Sequence, residues 1–77
     1  MNRALCKAVG KRVRELRTGA GISQEELAAR ADLHRNYVGS IERGERDVGI
    51  SATFQLATAL GITLADFFAP FGRRRSS

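Results

Sequence analysis

The chain has 77 residues, of which 43% are hydrophobic and 27% charged, a composition typical of one small globular domain. No apolar run reaches the roughly 18 residues of a membrane span, and the basic N-terminus lacks the apolar stretch of a secretory signal. Thirteen Lys and Arg residues against eight Asp and Glu give a net charge of +5, which favours a polyanionic partner. The single cysteine, Cys6, cannot form an internal disulfide, so we expect a cytoplasmic protein.

The first two predicted helices follow from apolar spacing and a capping signal. Helical periodicity predicts a first helix over residues 3–18, with one apolar stripe formed by Leu5, Val9, Val13 and Leu16. The segment TGAG ends this helix. Ser23 then begins a second helix as its N-cap, and Glu26 is expected to complete a capping box. The inner face of the second helix is expected to contain Leu27, Ala28 and Ala31.

Three further helices are predicted in the rest of the chain. A third helix runs from about residue 34 to residue 43 and ends at Gly44. A fourth spans about 50–60, with an inner face of Ile50, Thr53, Leu56, Ala57 and Leu60. Thr63 begins a fifth helix, which ends before Pro70 because the residue preceding proline avoids the helical region. The sequence therefore predicts an all-α, five-helix domain over residues 1–71, followed by a basic, disordered tail over 72–77.

The segment LHRNYVGSIERGERD, residues 33–47, combines an apolar side with an unusual number of cations. On a helical wheel the apolar side contains Tyr37, Val38 and Ile41. The other side is small, polar or cationic, and it contains Asn36, Gly39, Ser40 and Arg43, with Arg35 at the exposed N-terminal end. Arginine can bind guanine and asparagine can bind adenine through two hydrogen bonds each in the major groove. The segment therefore predicts a helix that docks on the domain by one face and reads DNA with the other.

The longer segment ISQEELAARADLHRNYVGSIERGERD, residues 22–47, resembles the helix-turn-helix core of the phage-repressor-like family, also called the xenobiotic-response-element family. The matching features are Ser-Gln at the start of the second helix, the Leu-Ala pair, a hydrophobic turn residue, Tyr-Val and Ile-Glu-Arg-Gly. The resemblance extends from about Val9 to Phe68. The short length and the IERGERD run are similar to controller proteins of restriction–modification systems.

This resemblance implies a helix-turn-helix formed by the second and third helices, with three groups of functional residues. Base reading is expected from Arg35, Asn36 and Ser40. Contacts with the DNA backbone are expected from Gln24, Tyr37, Arg43 and Arg46. A structural ion pair between the first and third helices is expected to join Arg17 and Glu42.

We therefore predict a sequence-specific, double-stranded DNA-binding transcription regulator that regulates its own expression. It is expected to act as a homodimer on a palindromic operator. RNA polymerase is a further candidate partner. The dimer interface is predicted at four phenylalanines that a core of this size cannot all hide: Phe54, Phe67, Phe68 and Phe71.

Other function classes fit the sequence less well. His34 and Cys6 have no companions at metal-ligand spacing, so we expect no metal site and no cofactor. No pattern arranges a nucleophile, a base and an orienting group, so we expect no enzyme. An antitoxin or adaptor that mainly binds protein is the alternative, and it would use the phenylalanine-rich end. Nonspecific nucleoid or RNA binding is a third reading.

Overall fold

A computed structural model describes residues 1–72, which form five α-helices and one short 3₁₀ turn. The elements are α1 (Arg3–Gly19), α2 (Gln24–Ala31), α3 (Arg35–Glu42), α4 (Ile50–Ala59), α5 (Leu64–Phe67) and the 3₁₀ turn (Ala69–Phe71). This part of the chain contains no strand, which confirms the predicted all-α, five-helix fold. None of its helices is long and apolar enough to cross a membrane. Most of the predicted disordered tail, residues 73–77, lies outside the described residues.

Side chains cap the free backbone N–H groups at the starts of α1, α2, α3 and α5. Ser23 Oγ accepts a hydrogen bond from the Glu26 backbone N–H at 3.0 Å, so the predicted N-cap of α2 is present. The Glu26 carboxylate binds Arg30 instead of returning to the cap, and the predicted capping box of α2 is therefore only half formed. The complete box occurs at α5, where Thr63 and Asp66 bond each other's backbone N–H groups.

All five helices contribute to one hydrophobic core. Its largest fully buried side chains are Val13, Leu27, Val38, Ile41, Leu56 and Phe67. Phe67 is 0% exposed, so its predicted place at a dimer interface is wrong. The reason is the docking of α5, whose last carbonyls are held by α1. Arg12 donates to the carbonyl oxygens of Asp66 and Phe67 at 2.7 and 2.8 Å, and the Phe67 ring then points into the core.

Helix α1 approaches α3 closely at Gly10. A Cβ added at this position would overlap the carbonyl oxygen of Ile41 and would lie 2.9 Å from that of Glu42. Both are backbone atoms at the C-terminal end of α3, so they cannot move aside as a flexible side chain could. Gly10 therefore allows the short distance between α1 and the predicted recognition helix.

Helix α4 presents large apolar side chains to solvent. Ile50 was predicted on its inner face, but Ile50 is 69% exposed. Phe54, one turn later, is 57% exposed. The N-cap residue of α4, Gly49, provides no side-chain hydrogen bond to the helix. The first buried residue of α4 is Thr53. The outer face of α4 thus has an apolar stripe of Ile50 and Phe54, which we call the α4 stripe.

Candidate nucleic-acid interface

The C-terminal end of α3 is tied to α1 by a buried ion pair. Arg17 Nε lies 2.6 Å from Glu42 Oε2, and Arg17 Nη2 donates to Oε1 at 3.1 Å. The two side chains are only 13% and 4% exposed, respectively, and this confirms the predicted structural ion pair. The hydrogen bond to Glu42, reinforced by its negative charge, raises the pKa of Arg17. Arginine is effectively always protonated in proteins, so Arg17 supplies a permanent positive charge to this pair.

The same carboxylate also ties α2 to this frame. Gln24 Nε2, at the start of α2, donates to Glu42 Oε1 at 3.0 Å. The remaining Arg17 nitrogen, Nη1, donates to the Ile22 carbonyl oxygen at 2.9 Å. One buried carboxylate thus joins α1, α2 and α3. A fixed relation between the two helices of a helix-turn-helix is what lets one helix sit over the backbone while the other enters the groove.

The start of α3 is capped by an imidazole. His34 Nδ1 accepts a hydrogen bond from the Asn36 backbone N–H at 3.1 Å. Arg35 and Asn36, which follow the cap, are both exposed. The two predicted base-reading residues therefore lie at the free N-terminal end of α3, the part of a recognition helix that contacts base edges.

An open cleft of about 230 Å³ lies between α2 and α3 and has a mostly polar lining, consisting of Gln24, Glu25, Arg35, Asn36, Gly39 and Arg43. The fold thus brings together four residues for which the sequence predicted DNA contacts. Gly39 forms the floor of the cleft, because a Cβ there would lie 3.2 Å from Arg43 Nη1 and 3.5 Å from Gln24 Oε1.

Two glutamates that were not predicted as site residues pair with arginines at this surface. Arg35 Nη1 lies 2.9 Å from Glu25 Oε2. Arg43 donates from Nε and Nη2 to the two carboxylate oxygens of Glu45 at 3.0 and 3.2 Å. This hydrogen-bonded contact with Arg43 lowers the pKa of Glu45. Glu45 follows Arg43 by two positions, so its place in the sequence could have indicated this pair. Glu25 precedes Arg35 by ten positions, and the two residues meet only in the folded domain.

Ser40 does not lie on the solvent side of α3 as the helical wheel predicted. The residue is 6% exposed. Its hydroxyl donates to the Tyr37 carbonyl oxygen at 2.8 Å and accepts from Arg46 Nε at 3.3 Å. The loop after α3 folds back over this turn of the helix and covers Ser40, so the prediction that Ser40 is placed to read bases is corrected: the side chain positions Arg46.

Tyr37 of α3 and Arg46 of the following loop form a cationic spot. The guanidinium carbon of Arg46 lies 5.7 Å from the centre of the Tyr37 ring, a cation–π distance. Arg46 is exposed and Tyr37 half-buried. Two residues predicted to contact the DNA backbone are therefore adjacent, and the phenol and guanidinium supply hydrogen-bond donors next to the end of α3.

Metal binding finds no support in the described part of the chain. No group of three or more His, Cys, Asp or Glu residues in residues 1–72 is arranged to hold an ion. Cys6 is a buried free thiol.

Known proteins with a similar sequence or structure are DNA-binding regulators. The family model described as helix-turn-helix matches residues 13–67. Control protein C.BamHI of Bacillus amyloliquefaciens is 41% identical over 58 residues, which cover 74% of this chain and 72% of that protein. Control protein C.SmaI of Serratia marcescens is 43% identical over 56 residues, covering 73% and 67%. The crystal structure of the restriction-modification controller protein C.AhdI of Aeromonas hydrophila matches with a TM-score of 0.82 at 48% identity, over 84% of this chain and 98% of that one.

The range matched by the family model, 13–67, contains both helices of the cleft and the two residues of the ion pair. The family model covers most of the chain, and the similarity to controller proteins extends to three-dimensional structure. The chain therefore belongs to the helix-turn-helix family and is a DNA-binding transcription regulator rather than an enzyme.

Proposed function

We propose that the protein is a homodimeric controller of a restriction–modification system that binds a palindromic operator, including one in its own promoter. The observation that carries this proposal is the polar cleft at the start of α3, where donors from α2 and α3 converge. The relatives described above as control proteins support the regulatory role. The proposal has three parts: base reading, backbone contact and dimerisation.

Base reading is assigned to Arg35 and Asn36. Both are exposed at the N-terminal end of α3, and neither belongs to the buried core. A guanidinium can donate two hydrogen bonds to guanine O6 and N7, and a carboxamide can bind adenine N6 and N7. One such contact discriminates against the wrong base by about 1–3 kcal/mol.

Backbone contact is assigned to donors at the edges of the cleft. Gln24 and Arg43 both lie next to Gly39. Tyr37 and Arg46 form the cationic spot described above. Phosphate contacts fix the register of a protein on DNA without reading its sequence. Two sets of donors that flank one helix would hold that helix in the groove in a single orientation.

Dimerisation is assigned to the apolar surface centred on the α4 stripe, Ile50 and Phe54. Both side chains are more than half exposed. Phe68 shares a groove with Ile50, and its ring contacts that of Phe71 edge-on at 5.7 Å, so these two half-buried rings extend the surface. One recognition helix reads only a few base pairs, and a twofold dimer doubles the site.

Selection of bound duplexes from a random library, using the whole chain, tests the operator. The expected result is an enriched sequence with two inverted half-sites, whose centres are about one helical turn of 10–10.5 base pairs, or a multiple of it, apart. Enrichment of a single unsymmetrical site would refute the twofold dimer on DNA. Absence of any enrichment would refute sequence-specific reading.

Replacement of Phe54 by Glu tests the interface. Because Phe54 is 57% exposed, the charge should not disturb the core. We expect Phe54→Glu to be a folded monomer by sedimentation and circular dichroism, whereas Ala65→Glu, which adds the same charge at an exposed position of α5, should remain a dimer. A dimer in both variants would place the interface elsewhere.

A further inference from the structure

The Glu25–Arg35 ion pair in the cleft engages only one corner of the guanidinium. Arg35 Nη1 donates to Glu25 Oε2 at 2.9 Å. The side chain of Arg35 is 62% exposed and that of Glu25 is 73% exposed. Nε and Nη2 of Arg35 have no hydrogen-bond partner within residues 1–72. These two nitrogens form one edge of the planar guanidinium. Its two parallel N–H groups can donate hydrogen bonds to O6 and N7 of a guanine.

The neighbouring Arg43 is held in the opposite way. Its Nε–Nη2 edge is occupied, because both nitrogens donate to Glu45 at 3.0 and 3.2 Å. Only Nη1 of Arg43 points into the cleft, towards Gly39. Arg43 therefore has only its outer Nη1 and Nη2 N–H groups left for DNA, whereas Arg35 retains its Nε–Nη2 edge.

We propose that Glu25 is a specificity-determining positioning residue that holds Arg35 by Nη1 and leaves the Nε–Nη2 edge for guanine. This inference rests on the proposed role of Arg35 in base reading. The carboxylate restricts the rotamers of a long side chain before DNA arrives. Its charge also offsets that of Arg35, so the pair is attracted less strongly to phosphates, which bind protein cations regardless of sequence. Both effects favour the operator over other DNA.

The matched control for Glu25 is the next residue of the same helix. Glu25 and Glu26 both lie in the first turn of α2, so a Glu→Gln change at either position alters the helix-dipole interaction equally. Glu26 also pairs with an arginine, Arg30, but neither of these residues lines the cleft. The comparison therefore removes the same charge and the same kind of surface ion pair from two sites.

The experiment measures the affinity of the full chain for two duplexes at fixed salt. One is the sequence selected by the wild type from a random library, and the other is a scrambled duplex of the same length and composition. We expect Glu25→Gln to lower the ratio of the two affinities by roughly two- to fivefold per recognition helix, the range for an exposed ion pair, with tighter binding to the scrambled duplex. Glu26→Gln should lower the ratio less than Glu25→Gln does, since neither Glu26 nor its partner Arg30 lines the cleft.

A double-mutant cycle shows whether Glu25 acts through Arg35. In an Arg35→Ala background, Glu25→Gln should no longer change the ratio. A loss of specificity that persists without Arg35, or an equal loss in Glu26→Gln, would overturn the role of Glu25 while leaving the proposed function in place. A wild-type protein that prefers no sequence would instead refute the proposed function, and the inference with it. Circular dichroism spectra that match the wild type confirm that each variant is folded.

Discussion

Removal of the guanidinium at position 17 should strongly destabilise the domain. Arg17→Met keeps most of the aliphatic stem but deprives the Glu42 carboxylate of its cation. Glu42 is 4% exposed, and it would retain only the Gln24 amide as a side-chain donor, 3.0 Å away. Removal of one partner from a buried ion pair costs about 3–5 kcal/mol. A domain of 77 residues has a free energy of unfolding of about 4–12 kcal/mol, so this loss is a large part of the total.

The reciprocal change should cost less. Glu42→Leu leaves the positive charge on Arg17, whose side chain is 13% exposed and ends a long flexible stem that can bring the guanidinium to water. The double variant Arg17→Met/Glu42→Leu removes both charges and should be more stable than Arg17→Met, because apolar residues of similar volume often replace a buried ion pair at little or no cost. The expected order of stability is wild type or the double variant first, then Glu42→Leu, then Arg17→Met.

Urea unfolding followed by circular dichroism measures this order through the midpoint and slope of each transition. An Arg17→Met variant within about 0.5 kcal/mol of the wild type, the range of an unimportant surface change, would refute the structural role of the pair. A double variant less stable than Arg17→Met would show that the carboxylate is better solvated than its burial implies.

Three further predictions concern α1, the α3–α4 loop and the DNA backbone. Gly10→Ala should destabilise the domain by about 1–3 kcal/mol through overpacking, whereas Gly19→Ala, which has nothing within 4 Å of the added Cβ, should be neutral or stabilising in the same urea assay. Arg43 lowers the pKa of Glu45, so the stabilisation from this pair is present above the pKa of an unfolded glutamate and is lost as pH falls through the lowered value. An NMR titration should show that Arg43→Gln raises the pKa of Glu45, and an unchanged pKa would contradict the interaction. Arg46→Ala should reduce the log–log salt dependence of DNA binding by about 0.9 for each phosphate that Arg46 neutralises, and an unchanged slope would exclude Arg46 from the backbone.

The parts of the fold that depend on neighbouring residues in the chain were predictable. The N-cap of Ser23 acts within one turn and is present in the structure. The predicted apolar stripe of α1 is buried at Val9 and Val13, whereas Leu5, at its N-terminal end, is 49% exposed. The predicted first helix, 3–18, differs from the observed Arg3–Gly19 by one residue. The Arg17–Glu42 pair spans 25 positions, and it was accessible only through the family resemblance.

The errors occurred where burial depends on how separate elements dock. A helical wheel treats α3 as having one buried side, but the loop containing Arg46 covers a further turn and encloses Ser40. Periodicity likewise cannot tell which phenylalanine near a one-turn helix enters the core. Arg12 binds the carbonyl oxygens at the end of α5, which are 54 and 55 positions away in the sequence. In this docked position of α5, Phe67 is buried and Phe68 is half-exposed.

The recognition helix itself owes its position to the rest of the domain. α3 has eight residues, fewer than the roughly 12–15 that an isolated helix needs to be even marginally stable in water, and it contains Gly39, which costs about 1 kcal/mol relative to Ala. Its order therefore comes from the close approach of α1 at Gly10 and from the Glu42 carboxylate. Because these contacts also set the direction in which the N-terminal end of α3 points, we expect changes on α1 to alter the proposed base recognition without any contact between the altered residue and DNA.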